Sequence, residues 1–474
     1  AARAAALAGA DLIFYPTAIG HLKGDPLPRA DWVNAWTTIQ RSHAIANSIH
    51  VAAINRVGTE DPVTFFGASF VCDPFGRVLE KGGDKDAIVV ADVDLSLNAR
   101  IREGWRFMMN RHPESYEPLT APVRIDTPKS RGCVMPAEWE PHAATWLAWP
   151  EDRITFPGKR LENARAQYLR IIAALHSGEL VHLVVRNSRT RANVQTLLKK
   201  AGIDLRQIRF HEWDYADVWF RDYGPAFVTD RAGHRGMVQW RFNAWGGKYP
   251  SLLKDGHIPY LISEETGLDL FRPNVVLEVG SIDLNGQGSV ITTEECLLND
   301  NRNPGRSREE LERALDEHLG ARHVIWLKSG LVGDHTDGHV DNLARFVDPT
   351  TVVCAYEENP EDENHAALLE NYEILCRSSD QDGRRLRVIK LPMPAPLYTR
   401  ERGKRVRLAA SYANFYIAND VVLVPAYGEE RDGVAAETLR GLFPGRKIVP
   451  IDCRDIIGGG GALHCITQQE PKGN

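Results

Sequence analysis

Helix-length amphipathic segments alternate with short apolar runs along most of the chain. After residue 131 this alternation occurs five times, each time as a helix-like stretch followed by a strand-like run of five or six residues. The predicted pairs are residues 161–175 with 181–185, 191–200 with 208–213, 307–319 with 323–327, 364–376 with 386–391, and 434–443 with 447–452. In the third pair Ser307 and Glu310 form a capping box, and Gly320 ends the helix. The pattern predicts an α/β fold.

Five such units of unrelated sequence favour a closed, pseudo-symmetric ring, with an ordinary open α/β sheet as the alternative. Polar residues follow three of the strands at similar distances. Asp222 follows the second strand by nine residues, His339 follows the third by twelve, and Cys465 follows the fifth by thirteen. Because equivalent loops of a ring meet at one end of its axis, we expect these three side chains to share a pocket.

The first block of the chain, residues 1–118, shows a different arrangement. Its pattern predicts helices at residues 1–8 and 32–48, and strands at 11–15, 51–55, 65–71 and 87–93. These elements are typical of part of a layered α/β domain. Residues 119–130 are rich in proline and lack periodicity, so we expect a linker there and a second domain at residues 131–471.

Composition narrows the class of protein. A chain of 474 residues with 43% hydrophobic and 25% charged residues is typical of a soluble globular protein of two or three domains. The net charge of -6 gives no general attraction to nucleic acid or to an anionic membrane. No apolar run is long enough to span a bilayer, and no signal-peptide pattern is present. The chain opens with Ala-Ala-Arg and not with Met, which is expected of a fragment.

The seven cysteines are scattered and form no CxxC pair, which argues against a disulfide framework or a zinc ribbon and favours a reducing, cytoplasmic location. One of them, Cys465, follows a run of four glycines, residues 458–461. Glycines allow backbone angles that a side chain forbids and let a ligand come close. Cys465 is therefore a candidate nucleophile, with a Gly-rich tail carrying a chance cysteine as the alternative.

The polar residues upstream suggest the chemistry of that cysteine. A thiolate attacks planar, electron-poor carbons, and a nearby His339 could take the thiol proton, protonate a leaving amine and activate water. Two carboxylates, Asp222 and Asp341, match the planar N–H donors of a guanidinium. Each signal also has a structural explanation, such as a surface ion pair for Asp222 or a hydrogen-bonded structural histidine for His339. A metal site is a further alternative, because residues 334–341 contain three aspartates and two histidines.

Motifs spread over the second domain resemble the agmatine deiminase family. They include Trp219-Phe-Arg-Asp-Tyr-Gly-Pro, Phe242-Asn-Ala-Trp-Gly-Gly-Lys, Thr336-Asp-Gly-His-Val-Asp-Asn, Tyr412-Ala-Asn-Phe-Tyr and the segment from Gly458 to Gln469. The resemblance covers residues 131–471 and implies a five-bladed pseudo-symmetric α/β propeller without metal or cofactor. It implies hydrolysis of agmatine to N-carbamoylputrescine and ammonia, a step of putrescine synthesis.

By the same resemblance, each candidate residue receives a role. Cys465 would be the nucleophile, His339 the acid and base, and Asp222 and Asp341 the guanidinium clamp. The residues that would bind substrate are Trp219, Glu278, Trp245 and Gly461. The family usually has Glu-Gly-Gly where this chain has Glu278-Val279-Gly280, which is a departure in the backbone beside Glu278.

The first block resembles the nitrilase (carbon–nitrogen hydrolase) family, in its N-carbamoylputrescine amidase branch. The resemblance rests on segments such as Tyr15-Pro-Thr-Ala-Ile-Gly, Asn55-Arg-Val-Gly and Asp73-Pro-Phe-Gly. The Glu, Lys and Cys with which that family works would all lie before Ala1, and Cys72 is expected in the core. The resemblance therefore implies a partial nitrilase-like α/β sandwich that is inactive by itself and serves as a scaffold or oligomerisation surface.

Several alternatives stay open. A peptidyl-arginine deiminase would need an open cleft, whereas agmatine, a small cation, would need a closed pocket with an acid for its amine. Glu138, Glu140 and Asp214 are the candidate acids. An amidinotransferase would form a new guanidine instead of a urea, and a non-catalytic or metal-binding module is the remaining possibility. Homo-oligomerisation is expected to be possible, without nucleic acid or membrane partners.

Overall fold

The computed structural model describes residues 2–24, 26–60, 62–112, 126–401 and 403–473. The chain divides into two compact units, Ala1–Arg124 and Ile125–Asn474. Within the described ranges, no helix is long and apolar enough to cross a membrane. More than half of the predicted linker lies outside these ranges. Its described end, residues 126–130, is part of the second unit, where Lys129 forms an ion pair with Asp316.

The first unit contains two antiparallel or mixed sheets and three helices in its described part. Its helices are α1 (Ala2–Leu7), α2 (Arg29–Asn47) and α3 (Ser96–Trp105). Its strands are β1 (Leu12–Thr17), β2 (Gly20–Leu22), β3 (His50–Asn55), β4 (Val57–Glu60), β5 (Val63–Phe66), β6 (Phe70–Cys72) and β7 (Val78–Lys81). The sheets have the strand orders β1-β3-β6-β7 and β2-β5-β4.

Two strand predictions for this unit were wrong. Residues 65–71 are not one strand, because Gly67 and Ala68 both have a φ of 61°, which ends β5 and lets β6 enter the other sheet. Residues 87–93 are an apolar run with one aspartate, but they form no strand. Ile88 and Val90 are 93% and 78% exposed, so this run has no partner surface to bury it. Cys72 is fully buried, as predicted.

The second unit alternates helices and strands, which confirms the predicted α/β fold. Its helices are α4 (Arg160–Leu175), α5 (Ser188–Lys200), α6 (Phe220–Tyr223), α7 (Ile258–Thr266), α8 (Glu294–Leu297), α9 (Arg308–Leu319), α10 (His365–Arg377) and α11 (Arg431–Leu442). Its first strands are β8 (His142–Ala148), β9 (Leu180–Val185), β10 (Ile208–Glu212), β11 (Ala226–Thr229), β12 (Arg235–Val238), β13 (Asp269–Phe271), β14 (Asp283–Leu284), β15 (Ser289–Thr293) and β16 (His323–Leu327). The remaining strands are β17 (Ala344–Phe346), β18 (Thr351–Tyr356), β19 (Arg387–Pro392), β20 (Tyr398–Glu401), β21 (Lys404–Arg407), β22 (Tyr416–Ile417), β23 (Val421–Ala426), β24 (Lys447–Asp452) and β25 (Gln468–Pro471).

Five small sheets of the second unit share one pattern. Their strand orders are β25-β8-β9-β10, β11-β12-β13, β14-β15-β16, β17-β18-β19 and β22-β23-β24. In each, the first strand is antiparallel to the second and the second is parallel to the third. In one sheet the first strand comes from the other end of the unit, because β25 pairs with β8. This pairing fixes the segment that carries Cys465 against the start of the unit.

The predicted helix–strand pairs are present, but their grouping differs from the prediction. In the first two pairs, α4 with β9 and α5 with β10, the two strands belong to the same sheet. A further pair, α7 with β13, was missed, because β13 has only three residues and begins with an aspartate. The predicted ends of α9 are confirmed. The capping box of Ser307 and Glu310 begins the helix, and Gly320, in the left-handed conformation, ends it.

A buried polar stack lies on the sheet that β25 completes. Trp146 stacks on His182 at a ring distance of 4.0 Å. His182 Nδ1 lies 2.7 Å from His211 Nε2, and His211 Nδ1 lies 2.9 Å from Glu265 Oε2. Since the carboxylate only accepts, His211 donates to Glu265 and accepts from His182. Burial lowers the pKa of His182 to about 3.

This stack makes stability depend on pH. The folded-state pKa of His182 lies below its unfolded value, so the folded state binds fewer protons and loses stability as pH falls below about 6.5. We expect the free energy of unfolding to fall by up to about 1.4 kcal/mol per pH unit through this group. The variant His182→Phe keeps the stacking but removes the titration. Its stability deficit relative to the wild type should therefore shrink between pH 6.5 and 5 in calorimetric melts; parallel curves would contradict the assignment.

Candidate active site

Each of the five connections between successive sheets contributes a polar residue to one buried cluster. Asp222 lies on α6 between the first and second sheets, and Glu278 precedes the turn Val279–Ser281 between the second and third. His339 and Asp341 lie at the turn Val340–Asn342 between the third and fourth. The other two connections contribute Asn414 and Cys465. The structure thus brings together all four residues with predicted catalytic roles.

Cys465 lies between the glycine-rich turn and β25, with only 4% of its surface exposed. Its Sγ accepts a hydrogen bond from Asn414 Nδ2 at 3.2 Å and lies 3.7 Å from Asp341 Oδ2. Burial raises the pKa of the Cys465 thiol well above its usual range, and the charges of Asp341 and Asp222 raise it further. The resting cysteine is therefore a neutral thiol.

His339 is fully buried between two carboxylates. Its Nδ1 lies 3.6 Å from Asp222 Oδ1, and its Nε2 lies 3.6 Å from Glu278 Oε2. Neither ring nitrogen has a hydrogen-bond partner among the described residues. Although burial works against the charged ring, the Asp222 carboxylate holds the pKa of His339 well above its usual range. The ring is thus a cation poised to give up a proton.

Asp222 is held by an indole from a strained turn. Its Oδ2 accepts from Trp245 Nε1 at 2.9 Å, while its Oδ1 faces His339 at 3.6 Å and has no hydrogen-bond partner in the described part of the chain. Burial raises the pKa of Asp222 to about 7 against the opposing charge of His339. The turn Ala244–Gly247 has positive φ at all four residues, including Ala244 and Trp245, a conformation that costs side-chain-bearing residues about 1–2 kcal/mol each. Such strain is found where a side chain must be aimed at a site.

Asp341 is held by a histidine that sequence analysis missed. His464 Nδ1 lies 2.9 Å from Asp341 Oδ2, and its Nε2 lies 2.8 Å from Glu138 Oε2. Burial alone would raise the pKa of Asp341, but the hydrogen bond from His464 lowers it below its usual value. The second oxygen, Asp341 Oδ1, has no partner within the described ranges. The position of His464 directly before the candidate nucleophile was a signal that could have identified it.

The candidate acids for a substrate amine are not directed at this cluster. Glu138 is buried in a network, where it accepts from Ile417 N and pairs with Arg345 Nη2 at 2.9 Å. Glu140 is exposed, and Asp214 is exposed and pairs with Lys254. An amine-binding role for these three acids stays a prediction.

Two glycines leave room beside the reacting groups. A Cβ on Gly280 would lie 2.6 Å from Asp222 Oδ1 and 2.8 Å from His339 Nδ1. A Cβ on Gly461 would lie 2.9 Å from Cys465 Sγ and 2.7 Å from the ring of Trp219. The backbone therefore comes close to Asp222 and His339 at Gly280 and not at Val279. The Val279 side chain is instead buried in the hydrophobic core.

The ring of Trp219 lies beside Gly461, and its Nε1 donates to Asp217 Oδ2 at 3.0 Å. Glu278 is held on its other side by Arg302, whose Nε donates to both carboxylate oxygens at 2.9 and 3.1 Å. The remaining predicted binding residues, Trp245 and Gly461, also line the cluster. All the predicted site residues therefore come together in the structure.

The alternative metal site in residues 334–341 does not form as predicted. Asp334 accepts from Thr336, and Asp337 pairs with Lys248 and Arg302. Among the described residues, the one group of three metal-binding side chains with close ligand atoms is Glu278, Cys296 and His339.

Known proteins are similar to both parts of the chain. Residues 134–471 match the family model for the Porphyromonas-type peptidyl-arginine deiminase, and residues 1–103 match that for carbon–nitrogen hydrolases. An agmatine deiminase of Stutzerimonas stutzeri is 40% identical over 367 residues, covering 73% of this chain and 97% of that protein. One of Pseudomonas fluorescens is 39% identical over 366 residues, with the same shares.

Solved structures are similar over the same region. An agmatine deiminase of Enterococcus faecalis is 34% identical with a TM-score of 0.68, covering 74% of this chain and 99% of that one. An agmatine deiminase of Campylobacter jejuni, solved as a cysteine-to-serine variant with substrate bound, is 31% identical with a TM-score of 0.64, covering 72% and 97%. The chain therefore belongs to the family of Porphyromonas-type peptidyl-arginine deiminases, among the agmatine deiminases, and carries a carbon–nitrogen hydrolase segment at residues 1–103.

Proposed function

We propose that residues 131–471 hydrolyse agmatine to N-carbamoylputrescine and ammonia. The observation that carries the proposal is a pair of buried carboxylate oxygens, Asp222 Oδ1 and Asp341 Oδ1, that lack hydrogen-bond partners among the described residues. Buried acceptors are normally paired, so these oxygens suit a ligand with planar N–H donors and a positive charge. A guanidinium has both properties, and the thiol of Cys465 lies beside this clamp.

In this mechanism the substrate activates its own nucleophile. The charges of Asp341 and Asp222 help to keep Cys465 protonated. A bound guanidinium neutralises these charges, so the thiol can lose its proton. The released proton goes to solvent, Sγ attacks the guanidinium carbon, and the cationic His339 gives its own proton to the departing amine and becomes neutral.

The remaining steps regenerate the enzyme. Loss of ammonia leaves a cationic amidino-cysteine, in which Cys465 Sγ is bonded to the former guanidinium carbon. His339 then accepts a proton from water as the water attacks this carbon. The C–S bond breaks, the thiol is restored, and the urea product leaves with the alkyl amine unchanged.

The other predicted residues would shape the pocket. Trp219 would form its wall, Trp245 would fix Asp222, Glu278 would orient His339, and Gly461 would leave space beside Sγ. The proposal includes no metal or cofactor. We also propose that the five sheets are the blades of a closed, pseudo-symmetric propeller, since all five share one strand pattern and each connection between them adds a residue to the site.

The burial of the site favours a small substrate over a polypeptide. Cys465 and His339 are 4% and 0% exposed, which suits agmatine better than a peptidyl arginine. The first unit is proposed to be a scaffold or oligomerisation surface without amidase activity of its own. Burial raises the pKa of its Cys72 to about 11, so that cysteine is no nucleophile at neutral pH. A cytoplasmic location and a role in putrescine synthesis complete the proposal.

Replacing the nucleophile tests the reaction itself. For Cys465→Ser we expect ammonia release from agmatine to fall by about 10⁴-fold or more, because loss of a nucleophile removes the covalent path. Cys376→Ser, at an exposed cysteine, is the matched control and should keep full activity. The carbon product is identified by mass. Ammonia release from a peptidyl-arginine substrate alone would move the chain to peptide modification, and no release from either substrate by folded protein would overturn the proposal.

The ionisation of Asp222 should set the acid limb of the pH profile. The clamp requires a carboxylate, so kcat/KM for agmatine should fall as pH drops through about 7. Trp245→Phe removes the N–H donor that lowers the pKa of Asp222, so the limb should shift to higher pH by about one unit. Trp240→Phe, at a buried indole whose Nε1 has no partner among the described residues, is the control. An unchanged limb in Trp245→Phe would refute this role for Asp222.

The space beside Gly280 should be essential. In Gly280→Ala the added methyl group would collide with Asp222 and His339, and a displacement of about 1 Å at reacting groups costs about 100-fold in rate. We expect that loss in kcat/KM from steady-state kinetics. Gly441→Ala, on α11 with open space around its Cβ, should retain activity and not lower the melting temperature. Wild-type kinetics in folded Gly280→Ala would exclude the proposed pocket.

A further inference from the structure

Cys296 is a second buried thiol close to His339, and the proposed reaction makes no use of it. It lies on α8, whose first turn follows β15, and is 1% exposed. Its Sγ, a carboxylate oxygen of Glu278 and a ring nitrogen of His339 all lie within 4.8 Å of one another. These three side chains come from three different connections of the fold, so the cluster does not follow from a local sequence motif.

The donor types match one class of metal ion. Thiolate, imidazole and carboxylate together are the ligands preferred by Zn²⁺ and by similar divalent ions, whereas Mg²⁺ and Ca²⁺ prefer oxygen alone. With metal–ligand bonds of about 2.0–2.3 Å in tetrahedral geometry, ligand atoms lie roughly 3.3–3.6 Å apart. The distance between His339 Nε2 and Glu278 Oε2 is 3.6 Å, so these two side chains need almost no movement.

The surroundings of His339 support ligation through Nε2. This nitrogen has no hydrogen-bond partner among the described residues, although the ring is fully buried. On the opposite side, Nδ1 faces Asp222 Oδ1 at 3.6 Å. A carboxylate behind the non-ligating nitrogen fixes the tautomer that presents the other lone pair to a metal. Asp222 can thus fix the tautomer of His339 for a metal, in addition to its proposed role in binding the guanidinium.

The charges around the cluster also allow a divalent ion. Arg302 donates to Glu278 through Nε and also pairs with Asp337, so its charge is shared between two carboxylates. Each oxygen of Glu278 keeps a second lone pair for a metal. Binding would release two protons, one from the Cys296 thiol and one from the cationic ring of His339. The charge of a divalent ion would then be balanced by the Cys296 thiolate and Glu278.

We propose that Glu278, Cys296 and His339 form an inhibitory site for Zn²⁺ or a similar divalent metal. The bound metal holds His339 as a ligand, so the ring can no longer give a proton to the leaving amine or accept one from water. The inhibited state is separate from any metal adduct of the nucleophile, because Cys465 is not part of the ligand set.

Cobalt(II) provides a direct test that needs no catalysis, because cobalt–thiolate bonds absorb in the near ultraviolet. We expect this band when Co²⁺ is added to the wild-type chain, to Cys465→Ser and to the control Cys376→Ser. It should be lost in Cys296→Ser. Persistence of the band in Cys296→Ser, or its loss in Cys465→Ser, would overturn the proposal. X-ray absorption of the zinc-loaded wild type should show one sulfur ligand with nitrogen and oxygen ligands, and an absence of sulfur would also overturn it.

Inhibition supplies the functional readout. Zn²⁺ should inhibit ammonia release from agmatine, and a chelator should restore it. In Cys296→Ser the zinc concentration for half inhibition, relative to the variant's own activity, should rise by about 10- to 100-fold or more. Loss of a residue that only orients a metal ligand already lowers metal affinity by about that factor. An unchanged concentration would contradict the site. If agmatine proves not to be the substrate, the cobalt spectra still decide the metal site independently.

Discussion

The candidate site depends on keeping carboxylates in a buried pocket without neutralising all of them. Moving one carboxylate out of water costs several kcal/mol, which nearby cations and hydrogen bonds must offset. Arg302 does this for Glu278, and His464 for Asp341. Asp222 has the weakest support, an indole N–H and the ring of His339, and its pKa is accordingly raised to about 7. The charge left uncompensated is the part of the site that a cationic substrate completes.

That charge balance in turn depends on the connections between sheets. Arg345 pairs with Glu138 from the start of the unit and with Asp283 on β14, and Glu138 accepts from His464 beside the nucleophile. The pairing of β25 with β8 brings these distant segments together. Because these buried charges are paired with residues from distant segments, a shift of one segment would leave a charge without its partner. The fold and the electrostatics of the site therefore stabilise each other.

Periodicity was enough to predict five helix–strand pairs of the second unit and the α/β class, because these depend on local apolar spacing. It could not predict which strands share a sheet, since α4–β9 and α5–β10 look like separate units until β8 is placed beside them. It also missed β13, which is too short to show alternation. In the first unit, the apolar run at residues 87–93 was predicted to be a strand but forms none, because strand formation requires a neighbour that the sequence pattern does not reveal.

The chemistry-bearing residues could be predicted because Cys465, His339, Asp222 and Asp341 lie in recognisable motifs at similar distances from their strands. Their supporting residues could not, because support is a matter of three-dimensional contact. His464 and Glu138 act through hydrogen bonds that join residues more than 100 positions apart. Nor could local sequence show that Trp245 adopts a left-handed conformation to reach Asp222.

The arrangement around His339 shows why such a pocket is vulnerable to metals. A site that binds a guanidinium must collect anionic oxygens, and one that attacks it must place a thiol and an imidazole nearby. The same groups are ligands for zinc-like ions. Arg302 limits this vulnerability, since it holds both oxygens of Glu278 and places a positive charge at the cluster. The cation that keeps Glu278 ionised thus also weakens the attraction of that carboxylate for a metal, and the balance between the two effects sets how strongly Cys296 and His339 can retain one.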